Sequence, residues 1–408
     1  MKVELLEGNG RRIARALGRL AIAFGALAAA AVAIHPVLLA AAPLTIAVSI
    51  FYVLHVLGKP KEVIGGGELT SGPEGLRVGE RALGKVREGL VLPNQREGTI
   101  VRLSTGGRLP TDLRVRSVEE GRAVLAQLGL DASRSTAQVY VRSLSLPDYR
   151  KRTRAALALP IFILATVFIS ILAKSAAVAI GFLGVLPFLL AMILSLAIHG
   201  RATVGADGVL MKWLWRKRFI PLEQVADARA EESGDLIMNT VPVVVRLYDR
   251  KGEVLDELLV DCVQEGPMAE AVRAEILARA EGLAERIREG IEARDKGVTT
   301  LEANVLERGE RDAAAWIAHL RGLLERAQTF RDGAPPTLEA LLKRVEDPAA
   351  DATSRAAAAI AVTHDAEAKE RVRVAAAASA EPRLRIALEA AAEGDDARLE
   401  EALDELKL

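Results

Sequence analysis

The densest grouping of aromatic and basic side chains in the chain is Trp213, Trp215, Arg216, Lys217, Arg218 and Phe219. On one hairpin tip these types suit contact with an anionic surface, because each basic group near acidic lipid headgroups contributes about 1 kcal/mol and Trp favours the interface. The same spacing supports a second reading. Trp213, Trp215 and Phe219 alternate onto a core face, and Arg216, Lys217 and Arg218 make a solvated turn; period two favours this arrangement.

Residues for covalent chemistry are not grouped anywhere. There is no Gly-rich phosphate loop ending in Lys, no nucleophile elbow, no paired-His metalloprotease pattern and no His with carboxylates at ligand spacing. No catalytic, cofactor-binding or metal-ligating residue is therefore assigned, no small-molecule substrate is implied, and the chain is expected not to be an enzyme. Cys262 is the single cysteine, which excludes an intramolecular disulfide and a thiolate-rich zinc site. It reads as a small apolar residue at a strand end. Lys plus Arg and Asp plus Glu are each 54, so net charge gives no general attraction to nucleic acid.

The elements that would position the cluster are legible around it. Ala202–Val204, a turn at Ala206, Asp207 and Gly208, and Val209–Trp215 predict a hairpin, since Asp-Gly supplies the positive backbone angle such turns need. Phe219–Leu222, Val241–Tyr248 and Glu253–Cys262 predict further strands, and a helix is expected from Pro267 with Val272, Ile276 and Leu277 on one face.

An earlier segment shares this pattern. Gly67, Thr70, Gly72 and Gly75 answer to Gly200, Thr203, Gly205 and Gly208 at one constant offset. Val101, Arg102 and Leu103 then answer to Val245, Arg246 and Leu247, and Val118, Glu120 and Gly121 to Val263, Glu265 and Gly266. The VGADGVLMKW run from Val204, the WRKR run from Trp215 and the FIPLEQVADA run from Phe219 resemble bacterial pleckstrin-homology-like domains. That resemblance implies an antiparallel, strongly bent sheet capped by one helix, often following a pair of membrane spans. It is weaker in the first copy, where Gly79, Gly84 and Gly89 interrupt the strands and nothing matches the aromatic basic turn.

Each copy follows a long apolar stretch. No charged residue lies between Leu20 and Leu57, and His35 and Pro36 break the run; Ala155–Ala173 and Ala176–His199 flank Lys174 and Ser175. A bilayer core takes about 20 apolar residues per helix, so two transmembrane hairpins are expected. Arg11, Arg12, Arg15, Arg19, Lys59, Lys61, Arg150, Lys151, Arg152, Arg154 and Arg201 flank them, which places both termini in the cytoplasm by the positive-inside rule. His55 and His199 read as polar anchors at the ends of spans. Gly65, Gly66 and Gly67 read as a flexible exit.

The remainder is rich in Ala, Leu, Glu and Arg at helical period. Arg355 before AAAAIA, Arg373 before VAAAAS and Arg385 before IALEAA resemble a short HEAT array, with a single Ala-rich bundle as the alternative.

The expected whole is an α+β membrane protein: a tail at 1–12, hairpins at 13–57 and 155–199, pleckstrin-homology-like modules at 65–146 and 200–282, and an all-α segment at 283–408. It would sit in a bacterial inner membrane as a multi-pass, non-catalytic scaffold binding protein partners. The alternatives are sensing of a lipid surface through Trp213, Trp215, Arg216, Lys217 and Arg218, or service as an accessory subunit of a transporter or envelope enzyme.

Overall fold

A computed structural model describes residues 2–6, 15–16, 18–20, 22, 62–72, 75–95, 98–104, 110–132, 134–153, 199–213, 216–234, 236–237, 240–264, 270–296, 306–326 and 336–406. Among them, no helix is long and apolar enough to cross a membrane. The expectation of a two-hairpin, multi-pass inner-membrane protein with cytoplasmic termini is corrected accordingly. The longest described helix, Glu270–Lys296, has length without apolarity, since charged residues recur on every turn. Nearly all of 13–57 and 155–199, where spans are expected, lies outside the described residues.

The described chain is α+β with antiparallel sheets. Seven strands, β1 (Lys2–Leu6), β2 (Val63–Gly72), β3 (Gly75–Val78), β4 (Arg81–Gly84), β5 (Glu88–Gln95), β6 (Gly98–Ser104) and β7 (Thr111–Val115), form one sheet in the order β4-β3-β2-β1-β7-β6-β5. Helix α1 (Val118–Gln127) packs on it, capped by the Ser117 hydroxyl, which accepts from the Glu120 amide.

A second set follows the same order. β8 (Ala137–Val141), β9 (Gly200–Val204), β10 (Gly208–Trp213) and β11 (Arg216–Pro221) form a sheet ordered β11-β10-β9-β8, and β12 (Asp227–Glu232), β13 (Thr240–Tyr248) and β14 (Val254–Gln264) form another. The Ser143–Leu259 bridge joins them at β8 and β14, where β1 meets β7 in the first set. Gly67 and Gly200 fall on corresponding strands, β2 and β9. Val118 and Val263 do not, because Val118 opens α1 whereas Val263 lies in β14.

Each set draws its innermost strand from an unexpected place. β1, within the expected tail, pairs with both β2 and β7, and β8, placed in the first module, pairs with β9. In β8 alternation is strict, with Ala137, Val139 and Val141 inward and Gln138 and Tyr140 out, whereas β1 buries Val3, Leu5 and Leu6.

Helix α2 (Glu270–Lys296) ties the two sets together. Its 27 residues run unbroken past the boundary expected at 282. Ile276, Ala280, Leu283, Ala284, Ile287 and Ile291 share one core with Leu90, Leu92 and Ile100 of the first sheet and Val243, Val245, Leu258 and Val260 of the third. The approach is close enough that a Cβ on Gly282 would lie 2.4 Å from the Val91 carbonyl oxygen. Arg286, 3% exposed, donates from α2 to the carbonyls of Asp131 and Ser135 and so fixes the connection into β8.

Helices α3 (Ala313–Arg321), α4 (Leu323–Arg326), α5 (Leu338–Glu346), α6 (Ala352–Val362), α7 (Ala366–Ala378), α8 (Pro382–Glu393) and α9 (Asp396–Leu406) complete the chain. Every residue of α6 from Ser354 to Val362 is buried, which its run of alanines permits by letting neighbours approach from all sides. A stacked array would keep its first and last helices apart. Here α3 touches α9, with Arg321 donating to Asp396 at 2.9 Å, and the helices close into a bundle around α6.

Candidate functional site

The structure separates the aromatic and basic cluster instead of presenting it on one tip. Arg216, Lys217 and Arg218, one of the sequence readings of which was a solvated turn, lie within β11, paired in register with Trp213, Lys212 and Met211. Alternation therefore sends their side chains to opposite faces. Trp213 faces inward, 9% exposed, with the Arg152 guanidinium 4.1 Å from its ring centroid. Arg216 lies 3.5 Å from the Asp148 carboxylate and Arg218 2.9 Å from that of Asp256, which is itself buried. Of the three basic residues, Lys217 alone turns to the outer face, the face that Phe219 shares through its pairing with Leu210. Trp215 lies outside the described residues.

On that outer face, cross-strand pairing aligns four residues that the sequence spreads apart: Tyr140 opposite Arg201, Arg201 opposite Lys212, and Lys212 opposite Lys217. All four are exposed, and the Arg201 guanidinium sits 5.4 Å from the Tyr140 ring centroid. Burial, followed by the positive charges of Lys217, Arg385 and Arg201, holds the Lys212 ammonium below its ordinary pKa. Arg385 belongs to α8, so the bundle contributes to this face. Sequence reading missed the row because its members meet only through the register of β8 to β11. A basic residue at one outward position of each of β9, β10 and β11 was the signal available.

The bundle is held beside this face by the turn between β9 and β10. Gly208 lacks the positive φ expected of it; a Cβ there would instead lie 2.4 Å from the Phe219 ring, so close packing requires the glycine. Asp207 is not simply a turn former. Its carboxylate accepts from the Ala380 amide at 2.6 Å, the Glu381 amide at 3.1 Å and the Ser379 hydroxyl, capping the start of α8. The Ala206 amide donates to the Ala378 carbonyl at 2.9 Å, and a Cβ on Gly205 would lie 2.5 Å from the Ala380 nitrogen.

Beneath this contact lies Arg355, 1% exposed, donating from Nε to the Val345 carbonyl at 2.9 Å. Burial lowers its pKa, with Asp207, Asp347 and Glu381 opposing. Glu381 is displaced the other way: burial raises its carboxyl pKa, Asp207 adds to the rise, and Arg355 and Arg383 oppose it. A carboxyl raised in the folded state binds more protons folded than unfolded, so stability falls as pH climbs from its ordinary value, 4.5, to the raised one. Glu381→Gln is expected to raise the thermal midpoint at pH 7.5 and to leave it unchanged at pH 4; equal gains at both would refute this origin.

Cys262 is half-buried, and burial raises its thiol pKa, which disfavours the nucleophilic thiolate. Among the described residues, no three His, Cys, Asp or Glu side chains converge as metal ligands do. What the geometry offers is a composite outer face of sheet and helix, cationic and carried on regular elements. No family model, curated protein or solved structure matches the chain.

Proposed function

We propose that the chain is a non-catalytic scaffold that binds protein partners on the face shared by β8 to β11 and the helical bundle. The observation that carries this reading is the Asp207 contact, which clamps α8 to the β9–β10 turn and makes one continuous surface from two folded parts. Surfaces fixed by buried hydrogen bonds lose little entropy on binding, which favours recognition by a preformed face. Trp213, one of the aromatic residues that contact with a lipid surface would use, is turned inward under Arg152.

Photo-cross-linking in the native cell tests the reading. A benzophenone side chain in place of Tyr140, and separately of Arg385, is expected to capture the same protein, because both positions lie on one face. Capture of no protein from either position would overturn the scaffold reading.

A further inference from the structure

Several arginines of the described surface are neutralised in place, whereas the row on the second sheet sets cations beside cations. Elsewhere, arginines sit against carboxylates: Arg246 between Glu231 and Glu257, Arg371 between Glu339 and Glu346, Arg122 between Glu285 and Glu289. Arg201, Lys212 and Lys217 stand side by side on β9, β10 and β11. Neighbouring strands lie about 4.8 Å apart, and like charges directly opposed across strands destabilise a sheet. Among the described residues, neither lysine makes an ion pair. Arg201 feels the carboxylate of Glu88, and Arg385 pairs with Glu389 at 2.9 Å.

A guard against edge-to-edge pairing would explain Lys217, since β11 is an edge strand. It does not explain Arg201 or Lys212, whose strands are paired on both sides. A row of opposed cations that costs stability and lies on interior strands is accounted for by a ligand that neutralises it.

We infer that Tyr140, Arg201, Lys212 and Lys217, flanked by Arg385, form the docking face for an acidic segment of a partner protein. The inference rests on the scaffold reading and gives its partner a chemistry. Tyr beside Arg is the composition of protein-binding hot spots. Single-stranded nucleic acid would call for several aromatic platforms in series, whereas among the described residues the exposed aromatic side chain of this face is Tyr140, already stacked against Arg201. A bilayer would call for exposed apolar anchors, and among the described residues of this hairpin Trp213 is turned inward.

Fluorescence anisotropy of the full chain with a labelled peptide of Glu and Asp interspersed with Leu provides the test. Arg201→Glu combined with Lys212→Glu should weaken binding roughly tenfold or more, as reversal of charges at an interface does, and added salt should weaken binding to the parent chain. Lys251→Glu, on the distant β13–β14 turn, should change nothing. Lys212→Gln guards against misfolding: it relieves like-charge repulsion, so the thermal midpoint should hold or rise while peptide affinity falls. Equal peptide affinity in parent and reversed chains would overturn the inference, as would preference for phosphatidylglycerol vesicles or a single-stranded oligonucleotide over the peptide. If the cross-linked partner is captured equally by the charge-reversed chain, the docking face is wrong and the scaffold reading stands. If no protein is captured at all, the scaffold reading falls, whatever the peptide does.

Discussion

Replacing Asp112 with Ala will destabilise the first sheet by about 3 kcal/mol, the scale set by stranding one member of a buried ion pair. Asp112 is 1% exposed and accepts from Arg102 through both oxygens, Nε at 2.8 Å and Nη2 at 3.0 Å. The two residues are cross-strand partners on β7 and β6. Arg102 is one-fifth exposed and, among the described residues, otherwise reaches only Glu275 of α2, at 3.4 Å. Without Asp112 its charge remains among apolar neighbours with one longer contact. Asp112→Asn keeps the shape and removes the charge, so it should fall between parent and Ala. Urea denaturation of the full chain, followed at the sheet by far-ultraviolet circular dichroism, measures the shift. A midpoint unchanged by Asp112→Ala would show that Arg102 is solvated in a way its surroundings do not allow.

The second large effect is expected at Asp207. Asp207→Ala removes the acceptor for two backbone amides and a hydroxyl at the start of α8, and it leaves Arg355 without the carboxylate that opposes its desolvation most strongly. Loss of a helix cap costs about 1 kcal/mol and a stranded buried donor about 1–3 more, so roughly 2–4 kcal/mol of local stability should disappear. The readout is hydrogen exchange at the Ala380 and Glu381 amides, which should accelerate together with the amide of Ala206, while strands β5 to β7 keep their protection. Uniform acceleration over the whole chain would mean that the contact is part of one global unit. Asp207→Asn, which retains an acceptor oxygen but not the charge, separates the capping contribution from the electrostatic one.

How much of this was legible from composition and pattern differs from element to element. The β9–β10 hairpin and the β13 and β14 strands announce themselves, because Val209, Met211, Val243, Val245 and Leu247 alternate with outward residues or form apolar runs. β1 and β8 do not, because a five-residue strand flanked by unrelated sequence gives no sign of a partner that lies many residues further along. Charge makes the basic residues of β11 resemble a turn, whereas alternation, the stronger physical constraint, runs through them and parts Lys217 from Arg216 and Arg218. Length and composition make the apolar stretches resemble membrane spans, and no described helix has that character. The Asp207 contact was illegible in principle, since it joins residues more than a hundred positions apart. The cationic row was illegible for a related reason: its residues become neighbours only once register is set.

Leu6 lies opposite Val63, and Val141 opposite Gly200. Whatever runs between the members of each pair departs from and returns to a single rung of a ladder. Beyond the part of the second excursion pinned by the Ser143–Leu259 bridge and the buried Tyr149, the entropy of closing a flexible excursion grows only with the logarithm of its length, so added length costs little while both anchoring strands keep their register. The two sheets thus act as sockets, each able to carry an insert of very different size without any rearrangement of the walls that hold it.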